Sequence, residues 1–498
     1  MTTTRQPPSR YGEFTQQYFG GAWRGGRSLT HTVVDTNPYD GSILTRIPGA
    51  STQDVADAYA SATRAQPSWS NTPPRERAAI MRRAAEIFLS RREEIIETTI
   101  REVGGVRKFA EIVWYFAWSI LDASSTYPMR VTGQIVPTES RGEESLVYRR
   151  PLGVIGIISP WNSPINLTMR SLAPALALGN AVVVKPASDT PITGGLMHAR
   201  IFEEAGLPRG VINVVVGASN EIGDAVVQDK AASLISFTGS TDVGRSLFGK
   251  VGSSSRIKHL GLELGGNAPF VVLDDADIDR AAHALVVSRF LHQGQICMSA
   301  NRAIVDASVF DRFVDQVVSR TRALPYGDPM SPNTVLGPLI NKVQVDAVLD
   351  KIKRARAQGA KALVEGELRG SQKNIIPPHV FVDVEQHYAI AQQESFGPLL
   401  PILRARDEAH ALAIANDTQF GLSAAVFTRD IERGRRFALG VESGMNHVND
   451  ICVADSEYAP YGGEKNSGLG RFNAEWVIDE FTRPHWITTQ RDSVTWPF

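Results

Sequence analysis

The chain of 498 residues carries 52 Lys and Arg against 53 Asp and Glu, a formal charge of −1, and 43% of it is hydrophobic. At roughly 100–200 residues per domain, this length predicts about two to four domains with filled cores and excludes a mainly disordered chain. A balanced charge without runs of like sign offers no broad field for a phosphate backbone or an anionic bilayer, so neither nucleic acid nor membrane is an expected partner.

The longest mostly apolar stretch, 172–184, is interrupted by Pro174 and Asn180 and falls short of the roughly 20 residues that span a bilayer. The opening MTTTRQPPSRYG has neither the apolar core of an export signal nor an Arg-rich amphipathic pattern, so the expected location is the cytoplasm. Two cysteines, Cys297 and Cys452, cannot staple a chain of this size, which suits a reducing compartment.

In chain order, Ser51-Thr-Gln-Asp54 caps a helix over 55–65, and a long amphipathic helix over 75–103 stops at Gly104-Gly105. Short β-branched runs follow at 154–159, 181–185, 211–216, 234–238 and 270–273, each ending in a polar or Gly-rich turn. Helices are expected between them at 192–205 and 221–228, and another at 280–292. The alternation returns with helices at 407–416 and 430–437 and a strand at 424–428. This is the pattern of an α/β protein with mainly parallel sheets, whose ligands collect at the carboxyl ends of strands. Segments 130–150 and 482–496 break the rhythm with alternating, β-branched residues. They are expected to pair as an extension that another subunit covers, which points to an oligomer.

Several turns carry chemistry. Phe237-Thr-Gly-Ser-Thr-Asp-Val-Gly244 leads from a strand into a helix, where free amides suit a phosphate, although a plain strand-to-helix turn reads the same way and no G-x-G-x-x-G occurs in the chain. Gly294-Gln-Ile-Cys297 sets a thiol among small and polar residues, fitting a reactive nucleophile. Cys452, between Ile451 and Val453, reads as packing. Leu262-Glu263-Leu264-Gly265-Gly266 favours partial burial of the acid and a raised pKa, or a paired structural carboxylate. Pro160-Trp-Asn162-Ser-Pro164 holds an amide in a stiff turn, as an oxyanion donor is held. The ten histidines are scattered and no metal constellation is present, so a metal-free site is expected.

Taken together, PWNSP, VVVKPAS, FTGSTDVG, LELGGNAP, GQICMS, QESFGP and PYGGEKNSGLGR resemble the aldehyde dehydrogenase superfamily over residues 36–486, and the interval from Glu263 to Cys297 is the family's own. The resemblance implies a Rossmann-like NAD(P) domain over 1–128 and 152–262, an α/β catalytic domain over 263–462, a β oligomerisation extension over 129–151 and 482–498, and a return segment over 463–481. By the same resemblance the assembly is a homodimer or homotetramer. Cys297 would attack the aldehyde, Asn162 and the Cys297 amide would hold the oxyanion, and Glu263 would deprotonate the water that hydrolyses the thioester. Lys185 and Glu394 would hold the riboses, Phe396 the nicotinamide side and Trp161 the adenosine half, with Gly239, Ser240 and Gly244 along the pyrophosphate.

Two positions depart from the family pattern. Ser188 stands where NAD-preferring members carry a Glu that repels a 2′-phosphate, so NADP is expected to be tolerated or preferred alongside NAD. Phe472 stands where many members carry a Glu used in a water relay. KPASDTP and GRFNAEW are similar to the bacterial subgroup that oxidises benzaldehyde- and vanillin-type aldehydes. Trp114, Tyr115, Trp118, Ile296, Met298 and Tyr461 are candidates for the ring pocket, although the aromatic residues of 114–118 also read as helix packing. The rival readings are an acylating enzyme that releases a thioester to coenzyme A, a succinate-semialdehyde-type enzyme with Arg170 on the distal carboxylate, and a non-catalytic protein with the same fold.

Overall fold

A computed structural model describes residues 14–498. The opening segment read for export signals, residues 1–12, lies outside the described residues. Ser51 and Asp54 form the expected capping box, which starts a helix at Thr52–Asn71. The single helix expected over 75–103 is two, Pro74–Ser90 and Arg92–Val103. The break falls at Arg91 (φ −104°, ψ 20°), whose buried guanidinium binds both carboxylate oxygens of Glu204 at 2.9 and 3.0 Å. This tertiary bond between distant segments has no signature in helix periodicity.

The elements that build the site follow in order: α1 (Arg107–Ser124), β1 (Glu143–Pro151), β2 (Val154–Ile158), α2 (Pro164–Ala177), β3 (Ala181–Lys185), β4 (Ala232–Thr238), α3 (Thr241–Gly252), β5 (His259–Glu263), β6 (Pro269–Val272), α4 (Ile278–Phe290), β7 (Arg302–Asp306), β8 (Leu399–Ala405) and β9 (Thr482–Gln490). The helix expected over 192–205 opens with a π-helical turn, Ile192–Leu196, before Met197–Glu204. The helix expected over 280–292 gives way after Phe290 to the turn Leu291–Gly294.

In the first sheet the parallel strands β3, β2, β4 and β5 lie side by side, flanked by Ile212–Val214, Gln17–Phe19 and Ala22–Arg24 at one edge and Gly468–Leu469 at the other. Helices cover both faces, which is why β2, β3 and β4 read as almost unbroken apolar runs. In the second sheet Lys361–Val364, His379–Val382, β8, β7, β6, Ser423–Phe427 and Met445–Val448 are neighbours in that order, all parallel except the first pair. β9 pairs antiparallel with β1 along its whole length, from Thr482 opposite Pro151 to Gln490 opposite Glu143, and Gln134–Ile135 lines the other edge of β1. The awkward segments of the sequence therefore do pair, and they leave Ile135, Tyr148 and Trp486 exposed. Among the described residues no helix is long and apolar enough to cross a membrane.

One amide ties the extension to the first sheet. Buried Asn180 donates to the carbonyls of Ala175 (3.1 Å) and Phe481 (3.0 Å) and accepts from the Gly153 amide at 2.9 Å. Asn180→Ala is expected to lower stability by about 1–3 kcal/mol, because it strands the Gly153 amide and removes two further bonds, while the Ala175 carbonyl keeps the Asn180 amide and the Phe481 carbonyl keeps the Leu152 amide. The urea midpoint and the half-life of thermal inactivation check this, and parental values for both would contradict it.

Candidate active site

Strand register gathers the site. Thr238 pairs with Glu263 and Ile158 with Lys185, so the turns after β2, β3, β4 and β5 leave the first sheet at one edge. The turn after β2 places Asn162 ahead of α2, which starts on Pro164 where a missing N–H costs nothing. The segment 264–268 then crosses from β5 to β6, so the end of one sheet meets the start of the other. The Cys297 loop comes from the second sheet, between α4 and β7.

The approach to Cys297 is held in an uncommon conformation. His292, Gln293 and Gly294 have φ of 51°, 56° and 74°, two of them side chains in a region that favours glycine. Their surroundings impose it. The His292 ring stacks on Phe109 with centroids 3.9 Å apart, and Gln293 donates to the Pro338 carbonyl at 2.8 Å. Buried Arg289 donates to the carbonyls of Gly294 (2.9 Å) and Gly397 (2.8 Å), tying the loop to the segment that carries Glu394 and Phe396.

Two cavities meet at the sulfur. The larger, about 240 Å³, has walls from Trp161, Gly239, Ser240, Glu263, Glu394 and Phe396. The smaller, about 50 Å³, is mostly apolar, with Phe109, Val113, Phe116, Leu291, Ile296 and Met298 in its walls. Cys297 and Asn162 belong to both. Asn162 donates one amide hydrogen to the Gln295 carbonyl at 2.9 Å, and its NH₂ carries a second.

The structure brings together most residues singled out in the sequence. Trp161 and Phe396, assigned above to opposite halves of a dinucleotide, meet edge to face with centroids 5.3 Å apart and form one wall. Ser240 caps α3 by accepting from the Val243 amide. Gly244 is not in the walls: a Cβ there would lie 2.5 Å from the side chain of Leu264, which is, so its bareness serves the packing of α3 behind that wall. Lys185 and Ser188 are also outside the walls. Lys185 donates to Ser219 at 3.0 Å and Ser188 to the Gly217 carbonyl at 3.3 Å.

Ile296, Met298, Tyr461 and Arg170 line the smaller cavity, but Trp114 and Tyr115 do not. Trp114 is buried against Phe88 and Trp118, and Tyr115 is half exposed. The face of α1 that reaches the cavity is instead Phe109, Ile112, Val113 and Phe116, a spacing of i, i+3, i+4 and i+7 that helical phase alone would have selected. Lys351 and Gln344, in the larger cavity, stand on a polar helix with no such signal.

Burial sets the electrostatics. Both Glu263 oxygens are buried without a hydrogen-bond partner, and desolvation raises this carboxyl well above its ordinary range against the pull of Arg170 and Arg471. Desolvation likewise lifts Glu394 to about 7, opposed by the bond it accepts from the Gly266 amide at 3.0 Å. Packing around Cys297 lifts its thiol to about 12, opposed chiefly by Tyr461. Cys452 is wholly buried in the core of the second sheet.

A Cβ at Gly266 would lie 2.2 Å from the Cys297 carbonyl oxygen, so any side chain there must move the loop. Gly266→Ala is expected to cut turnover about a hundredfold while the far-ultraviolet circular dichroism stays parental, since a displacement near 1 Å costs that much in a positioned site. Turnover within a factor of two of the parent would contradict the argument.

The sequence profile of the aldehyde dehydrogenase family matches residues 23–487. The chain is 51% identical to a vanillin dehydrogenase of Corynebacterium glutamicum over 96% of its own length and 98% of the relative's. It is 43% identical to the benzaldehyde dehydrogenase YfmT of Bacillus subtilis over 98% and 100%. The crystal structure of an NAD-dependent benzaldehyde dehydrogenase from Corynebacterium glutamicum superposes with a TM-score of 0.89 at 48% identity, covering 97% of this chain and 98% of that one. With these motifs on this fold, the chain belongs to the aldehyde dehydrogenase family.

Proposed function

We propose that the protein oxidises aromatic aldehydes of the benzaldehyde or vanillin type to carboxylic acids, using a nicotinamide dinucleotide. The observation that carries this reading is the position of Cys297 and Asn162 at the junction of the two cavities. One cavity suits a dinucleotide and the other a flat apolar ring.

The residues present fit the dinucleotide. The turn at Gly239 and Ser240 opens α3 with amides suited to a pyrophosphate, and a Cβ at Gly265 would lie 2.7 Å from Glu394, so bare backbone lines the wall beside that acid. Glu394 would hold a ribose and Phe396 would back the nicotinamide, while Lys185 would have to leave Ser219 to reach the other ribose. Ser188 places no carboxylate against a 2′-phosphate, so NADP is accepted as well as NAD.

The Cys297 sulfur attacks the carbonyl carbon, forming the C–S bond as the π pair moves to oxygen, where the free hydrogen of the Asn162 amide and the Cys297 N–H receive it. The dinucleotide, when bound, supplies the hydride acceptor that turns this adduct into a thioester. Glu263 then takes a proton from water, the water oxygen attacks the acyl carbon, and the C–S bond breaks to free the acid and the thiolate. The unpartnered oxygens of Glu263 suit that role. Because burial raises this carboxyl, it is armed by losing a proton above the ordinary Glu range, and turnover rises as pH moves from acid to alkaline.

The apolar walls favour a ring over a semialdehyde. Arg170, the cation available for a distal carboxylate, already pairs with Asp455 at 2.5 Å, so a substrate carboxylate would meet the charge of Asp455 as well. The exposed apolar face of the β1 and β9 extension supports assembly with further copies.

Initial rates of NAD and of NADP reduction with benzaldehyde, vanillin and succinate semialdehyde test the reading. Aromatic turnover well above semialdehyde turnover is expected, with both dinucleotides reduced, and the reverse order would reject it. Cys297→Ala is expected to be inactive yet folded. Glu263→Gln is expected to release one equivalent of reduced dinucleotide in a burst and then stall, and unchanged steady-state turnover there would reject the assigned base.

A further inference from the structure

One polar group outside the machinery described so far reaches the reacting sulfur. The Tyr461 hydroxyl lies 3.6 Å from Cys297 Sγ, within hydrogen-bonding distance for sulfur. Its ring is buried, and its main chain is locked by an exchange of N–H···O bonds with Phe472 at 3.0 and 2.8 Å. Arg170 lies against the ring face, Cζ 3.5 Å from the centroid, and Asp455 holds the same guanidinium at 2.5 Å, with side chains only 2% and 5% exposed. This isolated bridge between the main chains of Tyr461 and Phe472 anchors the turn that aims Tyr461.

The charges facing Cys297 divide by sign. Glu263 and Glu394 oppose a negative sulfur, and Arg170 favours one. Asp455, which faces Tyr461, offsets part of the Arg170 charge and fixes its place. A cation over an aromatic face draws density from the ring and makes its O–H a stronger donor. In the resting thiol, S–H can donate to the Tyr461 oxygen; once the sulfur is an anion, only the tyrosine can donate.

We propose that the Tyr461 hydroxyl is a catalytic hydrogen-bond donor to the Cys297 thiolate, and that Arg170, held by Asp455, is the positioning residue that aims and polarises it. The proposal rests on Cys297 being the nucleophile. Tyr461 keeps its own proton throughout, and the thiol proton passes to solvent. The bond strengthens as the sulfur becomes an anion, lapses when the sulfur lone pair makes the C–S bond, and returns when the thioester C–S bond breaks and the pair goes back to sulfur.

The first arm of the test needs neither aldehyde nor dinucleotide. Iodoacetamide alkylates a thiolate by forming C–S as C–I breaks, with the thiol proton taken up by buffer. In a Cys452→Ala background, Tyr461→Phe keeps the ring and its contact with Arg170 and removes one oxygen. Alkylation of Cys297 is expected to slow about tenfold at each pH between about 7 and 9, the size of one lost hydrogen bond to a charged group. The benzaldehyde kcat is expected to fall while KM stays near the parent's. Alkylation rates equal to or above the parent's across that range would overturn the proposal. The two possible failures separate cleanly: an active Cys297→Ala enzyme rejects the nucleophile itself, whereas an inactive Cys297→Ala enzyme with parental alkylation in Tyr461→Phe rejects only the role of the hydroxyl.

Discussion

Close contact between bare backbone at Gly266 and the carbonyl of Cys297 joins the two halves of this molecule at the point where chemistry is proposed. β5 ends in Glu263 and β6 begins at Pro269, so the crossing between the sheets is also the floor of the site. A side chain at Gly266 would occupy the space of the Cys297 carbonyl, and the same residue's amide binds Glu394. A carboxylate, a loop and a second acid are thereby set by one stretch of main chain. The left-handed run at His292 and Gln293 is the conformational cost of bringing the thiol to this crossing, and Phe109, Arg289 and Pro338 are the neighbours that hold it.

Burial disfavours the anion of both Glu263 and Cys297, with opposite consequences for their roles. It makes Glu263 a stronger base than an exposed carboxylate, which suits proton abstraction, and it makes the Cys297 thiol reluctant to ionise, which does not suit attack. A site that buries its nucleophilic thiol in this way needs a compensating donor at the sulfur. The Tyr461 hydroxyl over Arg170 supplies one at the correct distance. Asp455 balances the charge of the buried arginine through Nη2, while Nε and Nη1 have no hydrogen-bond partner among the described residues.

Much of this was legible in the sequence because parallel strands ending in polar turns declare where ligands go. The turns after β2, β4 and β5 and the Cys297 loop were each found from their own residues, and their order carried the family resemblance. Helix phase and distant partners were less legible. Trp114 and Tyr115 drew attention as large aromatics, but their helix turns Phe109, Val113 and Phe116 toward the cavity. A helix breaks at Arg91, whose side chain binds Glu204, and Arg170 is matched by Asp455, 285 residues on. Local sequence patterns contain no term for such pairings. The extension was visible as a misfit, and its partner strand was visible as a second misfit.

The most direct measurement is to mix the enzyme with an aromatic aldehyde and dinucleotide, quench in acid within the first turnover, and map the acyl group by peptide mass. An acyl group on the peptide containing Cys297, formed in step with the reduced dinucleotide, is the result expected. Acylation at Cys452, or turnover that never leaves an acyl group on Cys297, would contradict the placement of the nucleophile at the meeting point of the two cavities.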